Sequence, residues 1–186
     1  MRRLLAKYYL KSQTMEPIVQ KELNKQIQEE LYSAYLYLSM SAYLASEGLS
    51  GAANWMRLQY EEEMLHGMKF FDFILARGGE VELLEIAQPP KTFGSLEDCF
   101  VGALEHEKHI TGRINGLYEL SMKEKDYAVQ SFLKWFVDEQ VEEEGNVNEA
   151  LDKLKHIGPD SKEGLLLIDN WLKERVAEPA SSEPAA

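Results

Sequence analysis

Cysteine is almost absent from these 186 residues, and the one present, Cys99, has no partner for a disulfide within the chain. That excludes an internal disulfide framework and fits a reducing compartment, where the thiol serves as a small core residue. Long apolar runs are missing too: none approaches the roughly 18 residues needed to cross a bilayer. The opening "MRRLLAKYYLKSQT" lacks the apolar stretch and small-residue cleavage site of a secretory signal. A cytoplasmic protein with no membrane partner is therefore expected. Basic residues are scarce: 20 Lys and Arg stand against 32 Asp and Glu, a net charge of −12. Four of the bases (Arg2, Arg3, Lys7, Lys11) lie in residues 1–14 with no acid beside them, which leaves the remainder at −16. So acidic a chain disfavours a nucleic-acid partner and makes cations the natural ones. The last absence is of any alternating polar and apolar stretch, which argues against strands and for an all-α protein.

What is present is enough apolar residue, 45% of the chain, for one domain with a core. Residues 1–14 read as a basic extension ahead of a start at Met15, residues 15–175 as the domain, and residues 176–186, with "PASSEPAA", as a disordered low-complexity tail. Thr14 and Pro17 suit the start of a first helix and Gly48 its end. Ser50 suits the cap of a second, stopped by "RGGE" at 77–80. Pro89 and Pro90 forbid helix in "VELLEIAQPPKTFG", a connection long enough to run the length of a bundle. Ser95 with Asp98 resembles a capping box for a third helix, Asp126 a cap for a fourth reaching Gly158, and Asp160 with Glu163 the start of a short fifth. Short links pair the first two and the last two long helices, so the expected fold is a four-helix bundle of two hairpins, with a long crossover between second and third helices and a short fifth C-terminal helix.

Each long helix carries an apolar seam, and each seam is interrupted by an acid. In the first, Leu23, Ile27, Glu30, Ala34, Tyr37, Ser41 and Leu44 step by threes and fours. In the second, Met56, Glu63 and Phe70 form one row of seven-residue steps and His66 and Phe73 a neighbouring one. Phe100, Glu107 and Ile114 do the same in the third helix, and Phe136, Glu143 and Ala150 beside Leu133, Gln140 and Val147 in the fourth. In "VDEQVEEEGN" the period turns Gln140 and Glu143 inward and Asp138 and Glu144 outward. Likewise only Glu63 of the run Glu61–Glu63 is argued inward. His106 and His109 flank Glu107 and read as surface residues, His156 as a partner of a helix C-terminus, and Trp55, Trp135 and Trp171 as core or interface.

Glu30, Glu63, Glu107 and Glu143 each sit near the middle of their helix, so antiparallel packing brings them to one level. Burying an unpaired carboxylate costs several kcal/mol, so the layer is either protonated, knit into a hydrogen-bond network, or neutralised by cations. Carboxylate and imidazole ligands suit iron, manganese or zinc, and the Glu63-x-x-His66 step puts both ligand types on one side of one helix.

The segments "NKQIQEELYSAYLYLSM", "YEEEMLHGMKFFDFI", "EHEKHITGRIN" and "SFLKWFVDEQVEEE" resemble, in order and spacing, the four helix cores of ferritins of the prokaryotic non-haem type. The resemblance covers about residues 15–175. It implies iron storage in a homo-oligomeric cage of twenty-four subunits, with Fe(II) oxidised by dioxygen or peroxide at a di-iron ferroxidase centre inside each subunit. It implies one iron on Glu30, Glu63 and His66, and a second on Glu63 and Glu107 with Gln140 beside it. A third iron site would use Glu143 with Glu62, Glu139 and Glu142. Tyr37 matches the tyrosine neighbouring such centres, in a redox or a plain packing role. Bacterioferritins carry a second Glu-x-x-His where this chain has Gln140-Val141-Glu142-Glu143, which disfavours a permanent catalytic cofactor. Met64 stands where they bind haem, and haem is not expected here. DNA-protecting mini-ferritins place their metal between subunits and lack this four-helix set. Competing readings are a smaller di-iron oxidase of the same bundle and a metal-free helical scaffold with an acidic binding face.

Overall fold

The computed structural model describes residues 15–157 and 161–176, and among them the chain forms five helices and no strand. Helix α1 spans Pro17–Ser46, α2 Ser50–Ala76, α3 Leu96–Glu124, α4 Tyr127–Ile157 and α5 Lys162–Lys173. Pro17 occupies the first turn of α1, after an extended Glu16. Gly48 closes that helix at φ 81°, where the Leu49 N–H reaches back to the Leu44 carbonyl at 3.0 Å. Ser95 and Asp98 form the expected capping box. Asp126 caps α4, accepting from the Val129 N–H at 3.1 Å, and also takes a two-pronged contact from Arg77 at 2.9 and 3.0 Å that ties the end of α2 to the start of α4.

Two caps differ from the sequence expectation. Ser50 does not cap α2; Leu49 precedes that helix and supplies no side-chain bond. Instead Asp169 of α5 accepts from the Ala52 N–H at 2.9 Å, a cap delivered across 117 residues. Gly51 makes this approach possible, since a Cβ there would stand 1.7 Å from the Asp169 carbonyl oxygen. At α5 the cap is Ser161, whose hydroxyl accepts from the Gly164 N–H at 3.0 Å. Thr14, Gly158 and Asp160 lie outside the described residues, as do residues 1–14 and the tail from 177 on.

The helices form two antiparallel hairpins, α1 with α2 and α3 with α4. The pairings Glu22 with Arg113 and Glu29 with His109 run α1 against α3. The crossover 77–95 lies along α1, pinned by its polar side chains. Asn24 donates to the Glu80 carbonyl at 3.0 Å and accepts from the Glu82 N–H at 2.8 Å, Ser39 donates to the Pro90 carbonyl at 2.5 Å, and Tyr43 donates to the Gly94 carbonyl. From Asn24 to Tyr43 is about 28 Å of helix, so the connection does traverse the bundle. No helix among the described residues is long and apolar enough to cross a membrane.

The core is split. One apolar cluster gathers Tyr37, Met40, Leu44, Trp55, Met56, Phe100 and Val147 toward the α5 end; the other gathers Val19, Leu23, Ile27, Phe70, Ile74, Ile110, Leu133 and Phe136. The acids that interrupt the seams sit on the same helices between these two blocks.

Candidate metal centre

All four seam acids face the interior: Glu30, Glu63, Glu107 and Glu143 are at most 3% exposed, with His66 at 4% and Gln140 at 5%. A helix repeats its inward face every seven residues, so an acid that replaces one apolar member of a row is carried inside by the burial of the others. The layer is held by donors from its own helices and their neighbours. Gln26, one turn before Glu30 on α1, donates to Glu30 Oε1 at 3.0 Å. Gln59, one turn before Glu63 on α2, reaches across to Glu143 Oε2 at 2.7 Å. Tyr37, fully buried, donates to Glu107 Oε1 from α1, and Gln140 donates to Glu107 Oε2 at 3.2 Å from α4.

Ligand atoms of Glu30, Glu63 and His66 all lie within 4.8 Å of one another, and His66 Nδ1 is 3.3 Å from Glu63 Oε2. A second such group joins His66, Glu139 and Glu143, with His66 Nε2 3.7 Å from Glu139 Oε1. The imidazole thus presents one nitrogen to each group. The other expected ligands are distributed differently. Glu139 is half-buried and Glu142 exposed on α4. Glu62, half-buried, accepts from Arg175 at 2.7 Å. Met64 is half-buried on α2.

The side chains that bond Glu30, Glu63, Glu107 and Glu143 are amides, a phenol and the His66 imidazole. Burial first, and then the neighbouring Glu63, push the Glu30 carboxyl up to about 8. Burial likewise raises Glu63 against the pull of His66, and raises Glu107 against the hydrogen bonds of Tyr37 and Gln140. Glu143 is lifted well above the usual carboxylate range by burial and then by Glu107. Burial alone would lower His66, but its contacts with Glu139 and Glu63 hold it well above its ordinary value. Glu30 Oε2 is buried and accepts no hydrogen bond from the protein. An inward-facing, under-satisfied carboxylate beside a second carboxylate and an imidazole is a donor set suited to a dication.

Other expectations divide. Asp138 is exposed as anticipated, but Glu144 is half-buried and accepts from Thr111 at 2.6 Å. His109 is exposed, paired with Glu29 at 3.1 Å. His106 is not a free surface residue: its Nε2 lies 2.7 Å from the Ser33 hydroxyl and its ring meets Tyr32 edge-on, and burial, then His109, push it down to about 4. His156 bonds the Asp152 carbonyl at 2.5 Å near the end of α4. Trp55 is buried in the core, and Trp135 packs edge-on against His66. Seam periodicity passes over Gln26, Gln59 and Thr111; for the two glutamines the signal was there, since each stands four residues before a seam acid. Arg175 left no such signal.

The chain matches the family model of the ferritin-like domain over residues 20–157. It is 40% identical over 157 residues to a bacterial non-heme ferritin of Bacteroides fragilis (strain 638R), an alignment covering 84% of this chain and 97% of that protein. It is 41% identical over 155 residues to one of Campylobacter jejuni, covering 83% and 92%. Among solved structures it resembles an open pore ferritin from the hyperthermophilic archaeon Archaeoglobus fulgidus, with TM-score 0.86 and 46% identity, over 88% of this chain and all of the other.

Proposed function

This chain belongs to the ferritin family, and from that premise we propose that it stores iron, oxidising Fe(II) to Fe(III) inside each subunit and depositing ferric mineral within a homo-oligomeric cage. Iron is here substrate and cargo. In this reading one Fe(II) binds Glu30, Glu63 and His66, and a second is shared by Glu63 and taken by Glu107, with Gln140 beside it. Tyr37 steadies Glu107. Glu139 and Glu143 hold a third ion on the far side of His66, with Glu62 and Glu142 at its margin. Twenty-four subunits and a cytoplasmic setting are part of the same proposal.

The observation that carries this reading is the convergence of Glu30, Glu63 and His66 within 4.8 Å in a buried layer. Anionic oxygen ligands favour Fe(III) over Fe(II), so entry into such a layer primes an ion for oxidation. Each Fe(II) gives up one electron, and two neighbouring ions supply the pair that one dioxygen or peroxide accepts. Before iron arrives the Glu30 carboxyl, raised to about 8, retains a proton at neutral pH; binding expels it, and the dication takes over its role of neutralising the layer. A neutral amide at Gln140 in place of another acid leaves the second position weaker, which suits an ion that moves on to mineral.

The test is anaerobic addition of Fe(II) to the iron-free protein, followed by air and monitored by ferric absorbance. Wild type is expected to oxidise iron rapidly, and a variant with both Glu63→Ala and His66→Ala to fall to the rate of free iron in buffer. Equal rates for the two proteins would overturn the assignment, and a native mass no larger than a dimer would overturn the cage.

A further inference from the structure

Thr111 of α3 stands one turn after Glu107, and Glu144 of α4 one turn after Gln140, so the two helices meet across two polar rungs. In the inner rung the Gln140 side-chain nitrogen donates to Glu107 Oε2 at 3.2 Å and to the Glu107 backbone carbonyl at 3.3 Å. In the outer rung the Thr111 hydroxyl donates to Glu144 Oε1 at 2.6 Å. A diagonal joins the rungs, with Gln140 Nε2 3.4 Å from Thr111 Oγ1. The order of donors and acceptors along this chain is dictated from its outer end. A carboxylate only accepts, so Glu144 takes the single proton of the Thr111 hydroxyl, and what Thr111 turns toward Gln140 is a lone pair. The end of the amide lodged against Thr111 and Glu107 therefore meets three acceptor oxygens. Only the NH2 end satisfies them, and the network fixes which way round the amide sits.

A carboxamide takes a metal through its oxygen, because its nitrogen is a donor only. The end of Gln140 held at Glu107 is the end that cannot bind an ion. We propose that Thr111, itself fixed by Glu144, is a positioning residue that sets which end of the Gln140 amide faces Glu107, keeping that amide a hydrogen-bond donor rather than a ligand of the ion that Glu107 takes. This deepens the proposed function and rests on it. An ion on Glu107 draws on the electrons of that carboxylate and repels the amide protons, which favours turning the amide oxygen inward. Two acceptors then still hold the nitrogen, the Glu107 backbone carbonyl and the Thr111 hydroxyl. Of these, Thr111 is the one supplied by a side chain, and Glu144 keeps its proton pointed away from the amide. The ion on Glu107 is left with one oxygen fewer than the layer could offer it, and is correspondingly easier to pass on.

The experiment is an anaerobic calorimetric titration of the assembled, iron-free protein with Zn(II). It compares wild type with Thr111→Val, which keeps the side-chain shape without the hydroxyl, and with Thr111→Ser, which keeps the hydroxyl. The step belonging to Glu107 is identified by its loss in Glu107→Ala. In Thr111→Val that step is expected to tighten by about tenfold, the scale on which partners one layer out from a metal act, while the step on Glu30, Glu63 and His66 stays put. Thr111→Ser is expected to track wild type. An unchanged or weakened Glu107 step in an assembled Thr111→Val protein overturns the proposal, and so does a serine variant that behaves like the valine one. A crystal structure of the Zn(II)-loaded wild type gives an arm independent of any variant. Zinc on Glu107 with Gln140 still against Thr111 is expected; a Gln140 oxygen at a bonding distance of about 2.0–2.2 Å from that zinc overturns the proposal. Failure of wild type to bind any Zn(II) tightly would instead sink the storage reading itself.

Discussion

Tyr37 of α1 and Glu107 of α3 are joined by a hydrogen bond between two fully buried side chains seventy residues apart, the phenol donating to the carboxylate. Phenylalanine at position 37 leaves Glu107 with Gln140 as its remaining side-chain donor within the layer. Removing one partner of a buried pair costs about 1–3 kcal/mol, so Tyr37→Phe is expected to unfold at lower temperature when metal-free. Saturating Zn(II) is expected to narrow the deficit, because the ion compensates the same carboxylate. Calorimetric melting with and without Zn(II) checks both, and an unaltered metal-free melt contradicts the first.

Glu30 supplies a pH dependence with a definite sign. Its carboxyl stands at about 8 in the fold against an ordinary 4.5. Between those values the folded protein keeps a proton that the unfolded chain releases, so this group's contribution to stability is full below the lower value and is lost as pH rises toward 8. One proton corresponds to a slope of at most about 1.4 kcal/mol per pH unit. Urea unfolding of the metal-free protein at pH 6, 7 and 8 is expected to show stability falling more steeply in wild type than in Glu30→Gln. Parallel lines for the two proteins would count against it.

Gly51 and Asp169 set a steric condition on α5. An alanine at 51 would place its Cβ 1.7 Å from the Asp169 carbonyl, forcing α5 away from α2 at a cost of about 1–3 kcal/mol. Asp169→Ala removes only the cap on Ala52 and is expected to cost about 1 kcal/mol. Limited proteolysis should cut α5 sooner in Gly51→Ala than in Asp169→Ala, with melting temperatures in the same order.

Lys125 ends α3 at φ 56°, the one non-glycine residue with positive φ among those described. Glycine carries no Cβ penalty there. Lys125→Gly is expected to raise stability by about 0.5–1 kcal/mol, read from denaturant midpoints at unchanged slope; a lower midpoint would refute it.

The inner acids were legible because an apolar row with one carboxylate in it is a local, periodic pattern, and the seven-residue step carries Glu30, Glu63, Glu107 and Glu143 inward with their neighbours. The capping box at Ser95 was legible for the same reason, being complete within four residues. What escaped were relations with no period. Ser50 satisfies every local rule for a cap, yet the Ala52 N–H it would serve is met by Asp169 from another helix. Arg175 reads as a charged residue near a tail, and nothing near it in the chain announces Glu62. His106 reads as exposed beside Glu107 until α1 lays Ser33 and Tyr32 against it.

Asp169 also puts a clock into biosynthesis. At about 5–20 residues per second, roughly 6–23 s separate the translation of Ala52 from that of the side chain that finishes its helix. During that interval the Ala52 N–H lacks the carboxylate that caps it, and Arg175, six positions later still, has not yet been made. The cap on Ala52 and the contact of Arg175 with Glu62 can thus form only after both hairpins have been translated.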